Sequence, residues 1–238
     1  MRYLNVNLKG EFMKKKILIF FTLAFCLFTL SACGKSNINL SNLLIEERQN
    51  LFVANDDLYS VSFSTGNRES DYNLDGVVNE MVPFGVICLS RNDNEPLAND
   101  TYTYVVKIND NSYTGFLQKG NDNSYCADLE VNTTGDETIN VQISFTGYTF
   151  NQNLTNVSKE FQVDAETAIK VAEKELKENI NNLTSDKNIK LEVVMKIVKD
   201  YSSELKNYYW YVGIVATNGE TLGILISTST GEIIAKKV

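Results

Sequence analysis

Apolar and polar residues alternate in short runs from Leu51 to Val163, the pattern of half-buried strands. In "LYSVSFSTG", Tyr59, Val61 and Phe63 share one face, and Leu58, Ser60, Ser62 and Ser64 the other. In "DTYTYVVKIND", Tyr102, Tyr104, Val106 and Ile108 line one face. "EMVPFGVICLS", "SYTGFLQKG", "SYCADLEVN" and "ETINVQISFTG" read alike, each bounded by Asn, Asp, Gly or Ser. Tyrosine and β-branched residues suit a pleated, half-buried surface. Short strands between frequent turns predict an antiparallel β-sandwich of immunoglobulin-like size over residues 51–163.

The period changes at Asp164. Ala165, Ala168, Ile169, Ala172, Leu176, Ile180 and Leu183 recur at helical spacing. They predict a helix from Ala165 to about Asn181. Asp164 is its N-cap, accepting from free first-turn amides, and Val163 is a staple onto Ala168. Four strands follow: "IKLEVVMKIVK", "NYYWYVGIVAT", "ETLGILIST" and "EIIAKKV". Asn218-Gly219 between the second and third predicts a type I′ hairpin turn. The expected fold class is therefore α+β: a sandwich over 51–163, then a helix with an antiparallel sheet over 164–238.

Residues 164–238 resemble the PepSY domain. The resemblance rests on "DAETAIKVAEKEL", "YYWYVGIVATNGE" and "GILISTSTGEIIAKKV". Two features depart from that family. Thr228 and Ser229 stand where it often carries an Asp, and "DYSSELKN" parts the first two strands. The resemblance implies a helix packed on an antiparallel sheet. It also implies a non-catalytic module that binds or restrains a peptidase or another envelope protein.

The N-terminus bears on location. Lys14, Lys15 and Lys16 precede the apolar run "ILIFFTLAFCLFTL", which is too short for a span of ~20 apolar residues. A basic stretch, an apolar stretch and small residues predict a signal peptide over 1–32. Met13 is the expected true start. Leu30-Ser31-Ala32-Cys33 followed by Gly34 resembles the bacterial lipobox. The resemblance implies that Cys33 carries lipid and anchors the protein on the extracytoplasmic face of the cell membrane. Residues 33–50 then read as a lipidated tether with a short helix from Ser41.

Removal of residues 1–32 leaves 17 basic and 29 acidic side chains, a side-chain charge of −12. Such a surface disfavours nucleic acid and anionic headgroups. The chain has no histidine, the commonest general base and zinc ligand. Cys126 thus lacks a histidine to activate it, no nucleophile–base pair is legible, and neither an enzymatic role nor a cofactor is expected. Lys-, Asn- and Ile-rich text points to a low-GC Gram-positive source.

Three candidate sites remain. Cys88 and Cys126 lie in strand-like text, either as a disulfide, permitted outside the cytoplasm, or as two buried thiols. In "DYNLDGVVNE", Asp71, Asn73 and Asp75 occupy positions 1, 3 and 5 of a loop that resembles the EF-hand calcium loop, with Gly76 at position 6. Position 12 is Val82, without the carboxylate such a loop needs. The other reading is a polar turn at Asp75-Gly76. Finally, "YYWY" should place Tyr208 and Trp210 on one strand face and Tyr209 and Tyr211 on the other. One pair should cover the helix side, leaving the other for a partner or a neighbouring domain. The function expected is a membrane-anchored binding lipoprotein. A solute-binding lipoprotein of a transporter and a structural surface spacer are the alternatives. Oligomeric state is not legible.

Overall fold

The computed structural model describes residues 38–71, 73–120, 123–200 and 207–238. Cys33, the signal segment and most of the 200–207 link lie outside them. Asn39–Val238 form one compact unit. Among the described residues, twelve strands run through it: β1 (Leu44–Asn55), β2 (Tyr59–Glu69), β3 (Met81–Arg91), β4 (Tyr102–Ile108), β5 (Asn111–Lys119), β6 (Tyr125–Leu129), β7 (Ile139–Phe145), β8 (Tyr148–Asn156), β9 (Leu191–Lys199), β10 (Tyr208–Ala216), β11 (Thr221–Ser227) and β12 (Ile233–Lys237). Two helices, α1 (Ala165–Glu175) and α2 (Lys177–Leu183), stand between β8 and β9.

The α+β reading, a sandwich followed by a separate helix-and-sheet domain, is overturned. β1 to β8 close on themselves in the order β1-β2-β3-β6-β5-β4-β7-β8, and the ring is sealed by β1 against β8. The result is an eight-stranded antiparallel barrel. β9 to β12 then extend the same sheet outward from β1. The physical reason lies in β1. Its first half, through Arg48, pairs in parallel with β9, and Phe52 and Val53 pair with β8. One strand thus belongs to both the barrel and the outer sheet. From Leu44 onward, the residues expected to be tether are this strand, entered through a 3-10 turn at Leu40–Leu43.

A bulge makes the double role possible. Against β2 the register slips between Arg48 and Asn50, leaving Gln49 as the extra residue. Bulges bend and twist a strand. Gly66 on β2 faces Arg48 there, and a Cβ on it would lie 1.8 Å from the Glu47 carbonyl oxygen. Glycine is required by this close approach.

The barrel is filled by its own side chains, as eight-stranded barrels are. Phe52, Phe63, Ile87, Val106, Ile143 and Phe150 are buried in it. Outside it carries Ser62, Lys107, Gln142, Asn151 and Asn153. Apolar inside and polar outside is the reverse of a membrane-spanning barrel. Among the described residues, no helix is long and apolar enough to cross a membrane.

Cys88 and Cys126 face each other across β3 and β6 and form a disulfide, with Cα atoms 4.1 Å apart. On one face of the outer sheet, Ala168, Ile169 and Ala172 of α1 are buried, with α1 against β10 and Met195, Trp210 and Val212 beneath. Asp164 caps α1 through the Thr167 amide (2.8 Å). The single helix expected to about Asn181 breaks at Leu176, a non-helical residue between α1 and α2. Asn218-Gly219 is not a type I′ turn either. Gly219 has φ +88°, Asn218 is not in the left-handed region, and the Gly219 amide donates to Ala216 O (2.8 Å). A three-residue loop with glycine in the left-handed position makes this hairpin.

Candidate binding site

β1 has β9 beside it up to Arg48 and β8 from Phe52 onward, so the sheet forks at Gln49–Leu51. A cavity of about 550 Å³ occupies this fork on the helix side. Clefts of this size, with an apolar floor and a few placed polar groups, are typical ligand sites.

Four stretches of chain converge on it. β1 supplies Leu44, Glu47, Gln49 and Asn50; the 132–138 loop supplies Thr134 and Gly135. The 3-10 turn Val157–Glu160, with Asn156 before it, supplies Ser158 and Lys159. Phe161, Val163 and the start of α1 complete the wall, and Trp210 of β10 lies in the floor.

The polar wall is held in place by its own bonds. Asn156 donates to Gly135 O (2.8 Å) and accepts from the Ser158 amide (3.0 Å). Ser158 Oγ accepts from the Leu51 amide (3.2 Å), bridging the fork. Gly135, at φ +92°, lies where a Cβ would meet the Asn50 side chain at 2.6 Å. Glu137 accepts from the amides of Thr134 (2.6 Å) and Gly135 (2.9 Å). Burial opposes its charge, but these donors outweigh burial and hold its pKa below the usual carboxylate value. Lys159 pairs with Asp136 (2.7 Å) and Glu166 with Lys170 (2.6 Å). Bonding to the Thr167 side chain and amide keeps the Asp164 carboxyl below its ordinary pKa.

The floor is aromatic. Trp210 Nε1 donates to Val163 O (2.8 Å), satisfying a buried donor and tying β10 to the linker before α1. Phe161 meets Trp210 edge-on, with ring centroids 6.1 Å apart, and packs beside Tyr208 at 5.9 Å. It thereby separates the fork cleft from a second cavity of about 530 Å³ lined by Tyr208, Tyr209, Thr228 and Glu232.

The four residues of the aromatic run go to three places rather than two pairs. Trp210 is buried on the helix side and reaches the fork cleft; Tyr208 and Tyr209 line the second cavity. Tyr211, half-buried on the opposite face, lies over Gly213 and Gly223, with the Lys196 ammonium 5.8 Å from its ring centre. Tyr209 donates to Asp200 (3.3 Å).

The loop at 70–80 is a polar turn, with Gly76 at φ +73°. Asp71, Asn73 and Asp75 are exposed, and Asp75 accepts from the Val77 amide (2.8 Å). Two buried carboxylates, from the strands on either side of β1, grip the loop. Glu192 accepts from the Gly76 amide (2.5 Å), and Glu69 from the Asn79 amide. Among the described residues, no group of three or more His, Cys, Asp or Glu is placed to hold a metal ion.

Glu47, Asn50, Gly135, Asn156 and Phe161 carry no mark in the sequence that singles them out. Only the closing of the barrel brings them together. Comparison with protein-family models, curated proteins and solved structures returned no match.

Proposed function

We propose that this protein is a lipid-anchored binding module on the extracytoplasmic face of the cell membrane, with the fork cleft as its contact site. The observation that carries the reading is the cleft itself, an aromatic floor inside a polar wall where barrel and outer sheet diverge. Its Asp164, Ser158 and Lys159 are engaged in holding the wall, which suits contact rather than proton transfer. The Cys88–Cys126 disulfide supports an oxidising compartment, in agreement with a lipidated Cys33. The partner class comes from the resemblance of residues 164–238: an envelope protein, such as a secreted peptidase.

Site-specific photo-crosslinking in cells tests this. A photoreactive residue at Gln49, in the cleft, is compared with one at Asn151, exposed on β8 outside the barrel. A discrete adduct from position 49 and none from position 151 is the expected result. Equal adducts from both positions, or none from either, would overturn the cleft as the contact site.

A further inference from the structure

Resting on the fork cleft as the contact site, we infer that its occupant is an extended peptide segment carrying a lysine or arginine side chain, with Glu47 as the charge partner. Three observations converge. The first is charge. Glu47, Asp164, Glu166 and Lys159 are the charged residues of the wall. Asp164 is committed to the helix cap, Glu166 to Lys170 and Lys159 to Asp136. Glu47 is half-buried, and its carboxylate forms no hydrogen bond or ion pair among the described residues. A carboxylate without a partner is available to accept a charge-assisted bond from an entering cation.

The second is the floor. Leu44, Ile169, Phe161 and Trp210 offer apolar and aromatic surface beside that carboxylate. A lysine or arginine side chain has matching parts: an apolar stem that lies along such a surface and a charged head. The third is the backbone of β1. Among the described residues, no strand pairs with β1 at Gln49 or Asn50 on the fork side, between the end of the β9 pairing and the start of the β8 pairing. An extended chain is the ligand form that uses an open strand edge, with alternate side chains dropping into pockets.

Trp210 is the only tryptophan of the chain and lies in the cleft floor, so its emission reports occupancy directly. The probes are three acetylated and amidated pentapeptides, Ser-Leu-X-Leu-Ser, with X lysine, norleucine or glutamate. The lysine peptide should change Trp210 emission saturably and bind about tenfold tighter than the norleucine peptide, the scale of one charge-assisted bond. Glu47→Gln keeps the shape of the side chain and should abolish that difference with an unchanged melting temperature. Equal binding of the lysine and norleucine peptides would overturn the charge assignment and leave the cleft reading standing. No saturable change with any peptide, while position 49 still crosslinks in cells, would overturn the peptide as occupant. Silence in both experiments would overturn both.

Discussion

Tyr148 and Asp56 tie together two strands, β8 and β1, whose pairing closes the barrel. Tyr148 begins β8 and Asp56 follows β1, and the tyrosine hydroxyl donates to the carboxylate at 2.6 Å. Asp56 also accepts from the amides of Leu58 (2.9 Å) and Tyr59 (2.8 Å). Burial works against its charge, but the three donors prevail and its pKa lies below the ordinary value. The bond to Asp56, with burial second, pushes Tyr148 up to about 12. The signs follow from linkage. The lowered Asp56 contributes stability above its unfolded pKa of about 3.9, lost as pH falls through the folded value. The raised Tyr148 contributes below its unfolded pKa of about 10, lost as pH rises toward the folded value. Tyr148→Phe should therefore lower the melting temperature by a constant amount across neutral pH. The gap from the unsubstituted protein should narrow in acid and in alkali. A gap independent of pH across the whole range would show that the bond does not titrate as described. Trp210 is the second residue on which distant segments depend. Trp210→Phe leaves the Val163 carbonyl without its donor and should cost about 1–3 kcal/mol by urea unfolding.

At the scale of elements, the strands that were hard to read are those that decide the architecture. β2 and β4 are plain in the sequence because their inward residues, such as Val61 and Phe63 or Tyr102 and Val106, alternate with polar ones. Helix α1 is plain because its apolar stripe and its Asp164 cap agree. β1 is obscured by "EERQN", five polar residues in a row, which serve a strand that bulges and changes partner midway. β8 shows only Phe150 and Leu154 buried among exposed Asn, Gln and Thr. With those two strands unseen, the remaining pattern suits a sandwich as well as a barrel, since both hide alternate residues. The fork cleft was equally hidden, because it exists only where β1 changes partner. Gly66→Ala tests the geometry of that change. The added methyl has only the Glu47 and Arg48 backbone to meet, so the variant should be strongly destabilised. Gly147→Ala is the contrast: no heavy atom lies within 4 Å of a Cβ there, so its φ of +74° is the only penalty. The disulfide acts at this scale as well, joining β3 to β6 across the inserted β4–β5 hairpin. Its loss through Cys88→Ala with Cys126→Ala should cost about 4 kcal/mol by the chain-entropy relation. Urea unfolding reads that loss, and a thiol titration of the unfolded oxidised protein should find neither cysteine free.

For the whole molecule, charge and anchoring bear on each other. With residues 1–32 removed, the side chains sum to −12, and a surface of that sign is repelled by anionic lipid headgroups. The barrel is polar outside, and no described helix is long and apolar enough to span a bilayer. On the proposed reading, membrane retention then falls to the lipid on Cys33. Each buried methylene of an acyl chain contributes about 0.8 kcal/mol, so two chains hold a protein stably where one holds it only marginally. Loss of both should convert retention into release, with no intermediate state stabilised by the protein body. Cys33→Ala should accordingly appear in the medium rather than the membrane pellet, with the melting temperature of Asn39–Val238 unchanged. Retention that survives a high-salt wash would refute the lipid as anchor. Retention lost on that wash would show instead that the acidic body finds an electrostatic partner at the membrane.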